Sequence, residues 1–174
     1  MASLVDRMIR AAKLDVHLYE EVEADQTAMP QAVATVAISS LAAGIGSLGA
    51  LGLSGLLVGV IAALVGWFIW AFLTYFIGTK LLPEPGTKAD LGELMRTMGF
   101  SSAPGVLRVL GFVPVVGVII VLGASIWMLV AMIIAVRQAL DYRSTWRSVG
   151  VCLIGWIVQV VLFGMLFAAL GVRP

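Results

Sequence analysis

From residue 26 to residue 79, between Asp25 and Lys80, the chain carries no Asp, Glu, Lys or Arg. A helix needs about 20 apolar residues to cross a hydrocarbon core about 30 Å thick, so this run is too long for one crossing and suits two. Two further uncharged runs follow, from 109 to 136 and from 148 to 172. The composition agrees: 61% hydrophobic, 12% charged, mean hydropathy +1.06, where soluble domains carry about 25% charged residues. The expected class is an all-α polytopic membrane protein.

Several functions are disfavoured by the same arithmetic. A net charge of +1 gives no positive field for nucleic acid. A lone Cys152 permits neither an internal disulfide nor a multi-cysteine metal site. No G-x-S-x-G, H-E-x-x-H or Walker-type loop occurs, so no catalytic residue and no cofactor are expected. No Asp, Glu, His or Lys falls inside an expected span, which disfavours proton-coupled transport.

The segment 1–28 reads as a cytoplasmic amphipathic and acidic stretch, followed by a membrane domain over 29–172. Within it, 3–24 suggests an amphipathic helix that can break at Asp15, either packed under the bundle or lying on the bilayer. As far as Asp25 the chain sets three basic side chains against six acidic ones, unlike a basic leader, so this segment is expected to stay in the mature protein. Crossings are expected near 29–47, 54–78, 99–113, 115–137 and 148–171, with a glycine-rich turn over 44–55. Pro83 and Pro85 stop the second crossing, and Thr87–Asp90 resembles a capping box that opens a short helix to Met98.

Segment 99–113 is the ambiguous one. At 1.5 Å per residue it extends only about 22 Å as α-helix, and Pro104 and Arg108 lie within it. It reads as a short crossing, a re-entrant helix, or an extension of the next span. Loop charges favour a crossing. Five spans put the cationic groups Arg7/Arg10/Lys13, Lys80/Lys88/Arg96 and Arg137/Arg143/Arg147 on one side, leaving Arg173 on the other. By the positive-inside rule the N-terminus is then cytoplasmic.

Three groups of residues stand out as candidate sites. The first joins Tyr19, Glu20, Glu21, Glu23 and Asp25 to Arg137 and Asp141 as a docking surface. Its partner is external, or internal through Arg96, Arg137, Arg143 or Arg147. A metal held by His17, Glu20 and Glu21 is the less favoured alternative. The second is Arg108 with Pro104, reaching a lipid headgroup or backbone carbonyls freed at a helix break. The third is the small-residue face Gly55, Gly59, Ala63 and Gly66, used for packing inside the bundle or for self-association. Ser39, Ser40, Thr74, Ser125 and Gln159 are the modest polar residues at membrane depth, with Gln159 expected to bond between helices.

Met98-Gly99-Phe100-Ser101-Ser102-Ala103-Pro104-Gly105 resembles the GF-x-x-AP segment of the Yip-one domain family, the Ypt/Rab-interacting membrane proteins, in its prokaryotic branch. Leu14-Asp15 with Tyr19 to Asp25 is similar to the stretch before that family's first span. Ala135 to Asp141 with Ser144-Thr145-Trp146 is similar to the stretch before its last. The resemblance implies five spans, a cytoplasmic N-terminus and an opposite-side C-terminus. Eukaryotic members act in vesicle trafficking, associate with prenylated Rab GTPases and with one another, and are implicated in membrane shaping. Only the short segment 1–28 precedes the first expected span here, so Rab binding is not carried over. The resulting expectation is a non-enzymatic scaffold in a prokaryotic inner membrane, contacting lipid and associating with itself or other membrane proteins. A lipid or small-solute permease and an accessory subunit of a larger complex are the alternatives.

Overall fold

Ser3 opens the first helix by accepting the Asp6 N–H at 3.1 Å, satisfying one of the donors a helix start leaves free. The computed structural model describes residues 2–169, and every regular element among them is helical. Helix α1 spans Leu4–Ala12 and α2 Val16–Ala24. Between them Leu14 adopts φ +60, with its N–H on the Ala11 carbonyl and the Asp15 N–H on that of Arg10. That pair of bonds is a Schellman stop, and Asp15 at once caps α2 through the His17 N–H. The break expected at Asp15 therefore rests on both backbone and side chain.

Four long apolar helices follow. They are α3 (Met29–Gly46), α4 (Leu48–Phe76, continued by a π-turn over Ile77–Leu81), α6 (Val116–Ala139) and α7 (Thr145–Ala169). Three helical stretches are long and apolar enough to cross a bilayer: Gln26–Gly46, Ser54–Leu81 and Val116–Ala139. The glycine-rich turn is tighter than 44–55. Ser47 ends α3, a further turn of helix forms, and Gly52 kinks the chain at φ +65, ψ −174, backbone that glycine alone adopts without steric cost. Part of the expected fifth crossing, at 170 and 171, and Arg173 lie outside the described residues.

The ambiguous segment is resolved differently from its sequence reading. Its helix, α5, starts at Leu91 and ends at Ser101; the capping box is Asp90 with Glu93, each side chain taking the other's N–H at 2.8 Å, rather than Thr87 with Asp90. A 3-10 segment, Ala103–Phe112, continues it, with Pro104 in its first turn where a missing N–H costs little. At about 1.5 and 2.0 Å per residue the two pieces extend about 36 Å, the same as the full length of α6. The shortfall reckoned for 99–113 arose from starting the element eight positions late and counting all of it as α-helix.

These two pieces run the length of α6 in the opposite direction. Leu94 shares a buried cluster with Leu140 and Tyr142, Gly105 lies against Met128, and Gly111 lies against Val121 and the backbone of Gly117. On their other flank α3 runs parallel, with Ala32 against Gly99, Ser39 against Gly105 and Gly46 against Gly111. The missing side chains allow that approach; a Cβ on Gly99 would press on Ala32 at 2.8 Å. Helices α4 and α7 flank this three-rod core and meet where Gly155 touches Trp70 and Ile77.

The hairpin α1–α2 lies across the flank of the core, from the end where α3 begins to about the middle of α6. Arg7 bonds Gln31 at the start of α3, and Trp127 on α6 donates its indole N–H to the Ala12 carbonyl at 2.8 Å. Leu18, Tyr19 and Val22 are fully buried with Phe100, Ala103 and Ala135. Helix α1 turns Ala11 inward, while Val5 and Ile9 remain 64% and 50% exposed beside it. One apolar arc thus faces protein on one half and the surroundings on the other.

Candidate functional site

Arg108 projects from the 3-10 segment toward α3, donating Nε to the Gly105 carbonyl at 3.3 Å and Nη2 to Ser39 Oγ at 3.2 Å. Among the described residues no carboxylate lies within ion-pair distance of it. Ser39 stands ten positions into α3, about 15 Å along its axis, so this cation sits well inside the apolar part of the bundle. The cost of placing it there is offset in part by the backbone carbonyls of Gly105 and Ser39.

The guanidinium borders a cavity of about 670 Å³ between α3, α4, α5, α6 and α7. Its polar lining is Ser39, Ser40, Ser101, Ser102, Ser125 and Gln159, and its walls are aromatic and aliphatic, with Trp67, Trp70 and Trp156 prominent. Leu129 on α6 and Leu153 and Trp156 on α7 line it and are themselves exposed. Arg108 also borders a smaller cavity, about 360 Å³, beside Gly46, Gly111 and Gly117 at the far end.

Four of the serines that line the large cavity have a fixed role. Ser40, Ser101, Ser102 and Ser125 donate their hydroxyl protons to the carbonyls of Val36, Met98, Gly99 and Val121. Their oxygens are left as acceptors. The indole N–H groups of Trp67 and Trp70 are buried without a partner among the described residues.

The small-residue face of α4 divides. Ala63 and Gly66 line the cavity, Gly59 is exposed, and no atom lies within 4 Å of a Cβ built on Gly59 or Gly66. Gly55 is half-buried. Packing inside the bundle does not use this face at Gly59 or Gly66.

The acidic cluster turns to arginines of its own segment rather than to Arg137, Arg143 or Arg147. Arg7 Nη2 donates to Glu21 at 2.8 Å and Asp25 at 2.7 Å, and Arg10 bonds Asp15 and Glu21 at 2.8 and 2.6 Å. Thr27 and then Arg7 hold the Asp25 carboxyl down at about 2. Burial alone would raise Glu21, but Arg10 and Arg7 outweigh it and lower it. Glu23 is the exception: burial, then Asp141, Glu93 and Glu20, push it up to about 7 against the opposing pull of Arg96.

Most of the remaining members hold backbone. Tyr19 is buried with its hydroxyl on the Ala11 carbonyl, while Glu20 accepts from Gln138 at 3.0 Å and faces an exposed His17 at 3.3 Å. Arg96 reaches the carbonyls of Val22 and Glu23. Arg137 donates to the Tyr142 carbonyl, and Asp141 at φ +53 ends α6 in a second Schellman stop, its own N–H on Gln138 and that of Tyr142 on Arg137.

The Yip1 domain family model matches residues 23–167. The chain belongs to the Yip1 domain family. No curated protein and no solved structure matches it. The Yip1 domain thus begins at Glu23, inside α2, and takes in the whole cavity lining. It leaves Arg7 and Arg10 ahead of the matched region. Several members of the arrangement escaped the sequence reading: the buried role of Arg7, the four back-bonded serines as a set, and the three cavity tryptophans. Ser39, Ser40, Ser125 and Gln159 were visible as polar residues at depth, but nothing in their spacing says that they converge.

Proposed function

We propose that this Yip1 domain chain is a non-enzymatic scaffold of the membrane, crossing it five times with the N-terminus in the cytoplasm. Its place is a prokaryotic inner membrane, and it associates with copies of itself or with other membrane proteins. The family supports a membrane role, and the reach of α5 with its 3-10 continuation, roughly 36 Å, supports the third crossing. The single observation that carries self-association is the state of α4. In its most apolar 18 residues only 6% are buried, against 33% for α3, and Gly59 stands open on that exposed side. Lipid chains fill the gap left by Gly59 poorly, whereas a second helix can approach closely there and gain dispersion contacts.

The test is the oligomeric state in mild detergent and in nanodiscs. The wild-type chain is expected to give a defined oligomer, and Gly59→Leu to shift it toward monomer while the helical content stays the same. A strictly monomeric wild-type chain that also crosslinks to no neighbour in its native membrane would overturn the reading. Labelling of both chain ends from one compartment would overturn the five crossings.

A further inference from the structure

We infer that the cavity beside Arg108 is a binding site for a glycerophospholipid whose headgroup carries hydrogen-bond donors. The phosphodiester sits on the guanidinium, the headgroup donors on the serine oxygens, and the acyl chains leave between α6 and α7. This inference needs the chain to lie in a bilayer, but it does not need self-association.

Charge comes first. Arg108 has five N–H donors in a planar fork, and the bonds seen here use Nε and Nη2, leaving Nη1 without a partner among the described residues. A cation at this depth with no carboxylate near it attracts an anion strongly, because the apolar surroundings screen little. The two N–H groups of Nη1 are free to donate to the free oxygens of a phosphodiester.

The second argument is the direction of the hydroxyl protons. Ser40, Ser101, Ser102 and Ser125 spend theirs on helix carbonyls. What they present to the cavity is therefore lone pairs. A headgroup with ammonium or hydroxyl protons can satisfy them; a trimethylammonium headgroup cannot. The cavity thus pairs one cationic point for phosphate with four serine acceptors and the Gln159 amide for the group beyond it.

The third is access. A soluble phosphate would need an aqueous route, whereas the cavity is lined by Leu129, Leu153 and Trp156, 51%, 55% and 59% exposed on a flank that faces hydrocarbon. A lipid reaches it sideways without leaving the membrane. From Ser39 the end of α3 at Gly46 is about 10 Å further on, so a lipid of the far leaflet enters by dipping that distance. The cavity's volume of about 670 Å³ falls within the range of pockets that hold small ligands. Gly66 keeps the α4 wall open: no atom lies within 4 Å of a Cβ there.

The experiment is native mass spectrometry of the full chain in mild detergent, titrated with dioleoyl phosphatidylethanolamine and, separately, dioleoyl phosphatidylcholine. One phosphatidylethanolamine per chain is expected, held at least about tenfold more tightly than phosphatidylcholine, the difference that about one well-made hydrogen bond supplies. Arg108→Gln and Gly66→Leu are each expected to lose that bound lipid, and millimolar inorganic phosphate to leave it in place. Gly66→Leu touches none of the Arg108 hydrogen bonds, so it decides the matter if Arg108→Gln does not fold. Wild-type retention in the variant chains, or equal retention of the two lipids, overturns the proposal. Displacement by inorganic phosphate overturns the lipid and assigns the site to a soluble anion. Loss of the oligomer in Gly59→Leu with lipid retained would separate this site from the association surface.

Discussion

Arg7 Nη2 lies 2.7 Å from the Asp25 carboxylate, closing the N-terminal hairpin between the first turns of α1 and the end of α2. The Arg7 side chain is 5% exposed and also holds Glu21 and Gln31. Removing it leaves Glu21 with Arg10 alone and Asp25 with Thr27. Arg7→Ala is expected to weaken docking of the α1–α2 hairpin by roughly 2 kcal/mol, below the full cost of breaking a buried pair because the carboxylates are partly solvated. Hydrogen exchange of these amides checks it; protection unchanged from the wild type would show that apolar burial alone holds the hairpin.

Acid should release the same hairpin. The Asp25 carboxyl is lowered by Thr27 and Arg7 to about 2, and those of Asp15 and Glu21 are lowered too. A depressed carboxyl contributes fully above its unfolded value, about 3.9 for Asp, and loses that contribution as pH falls through its folded value. Docking is therefore expected to be intact at about pH 4.5 and weakened near pH 2. Pepsin, normalised to an unstructured peptide, should cut within the hairpin only at the lower pH. Equal cutting at both would contradict the ion-pair account.

Glu23 works in the opposite sense. Burial first, then Asp141, Glu93 and Glu20, raise its carboxyl to about 7. A raised carboxyl favours the folded state while protonated, so its contribution is greatest below about 4.3 and declines as pH rises toward 7. Glu23→Gln is expected to flatten that decline and to stabilise the chain at about pH 8, as read by thermal melts in detergent. A variant whose melting curve tracks the wild type at every pH would remove this residue from the account.

Tyr142 ties the loop after α6 to the end of α4. Its hydroxyl lies 2.7 Å from the Leu82 carbonyl and 3.0 Å from that of Gly78, and burial pushes it up to about 12, so it stays a donor through the physiological range. Tyr142→Phe is expected to cost about 1 kcal/mol, since the single hydroxyl proton shared between two carbonyls in a buried corner is lost. The measurement is a melt in detergent, with no change expected in lipid retention at the Arg108 cavity.

Much of this protein was legible in one dimension. Hydrocarbon solvates no charge and no unpaired backbone, so the uncharged runs alone mark the long helices, and the ends of α3 and α6 fall within two positions of their expected places. Asp15 as a break and the acidic cluster as a charged face follow from local chemistry. Motifs spread along the chain carry the family, and it is shown by the match over residues 23–167.

What only the tertiary structure decided is where distant segments meet. The choice of Arg7 and Arg10, rather than the arginines near α6, as partners of Glu21 and Asp25 depends on how the α1–α2 hairpin folds back. The third rod could not be measured from its sequence, because a change from α-helix to 3-10 alters the rise per residue without altering hydropathy. The cavity depends on α4, α6 and α7 standing apart around Arg108, and a gap between helices is a property of their mutual placement that no single stretch of residues encodes.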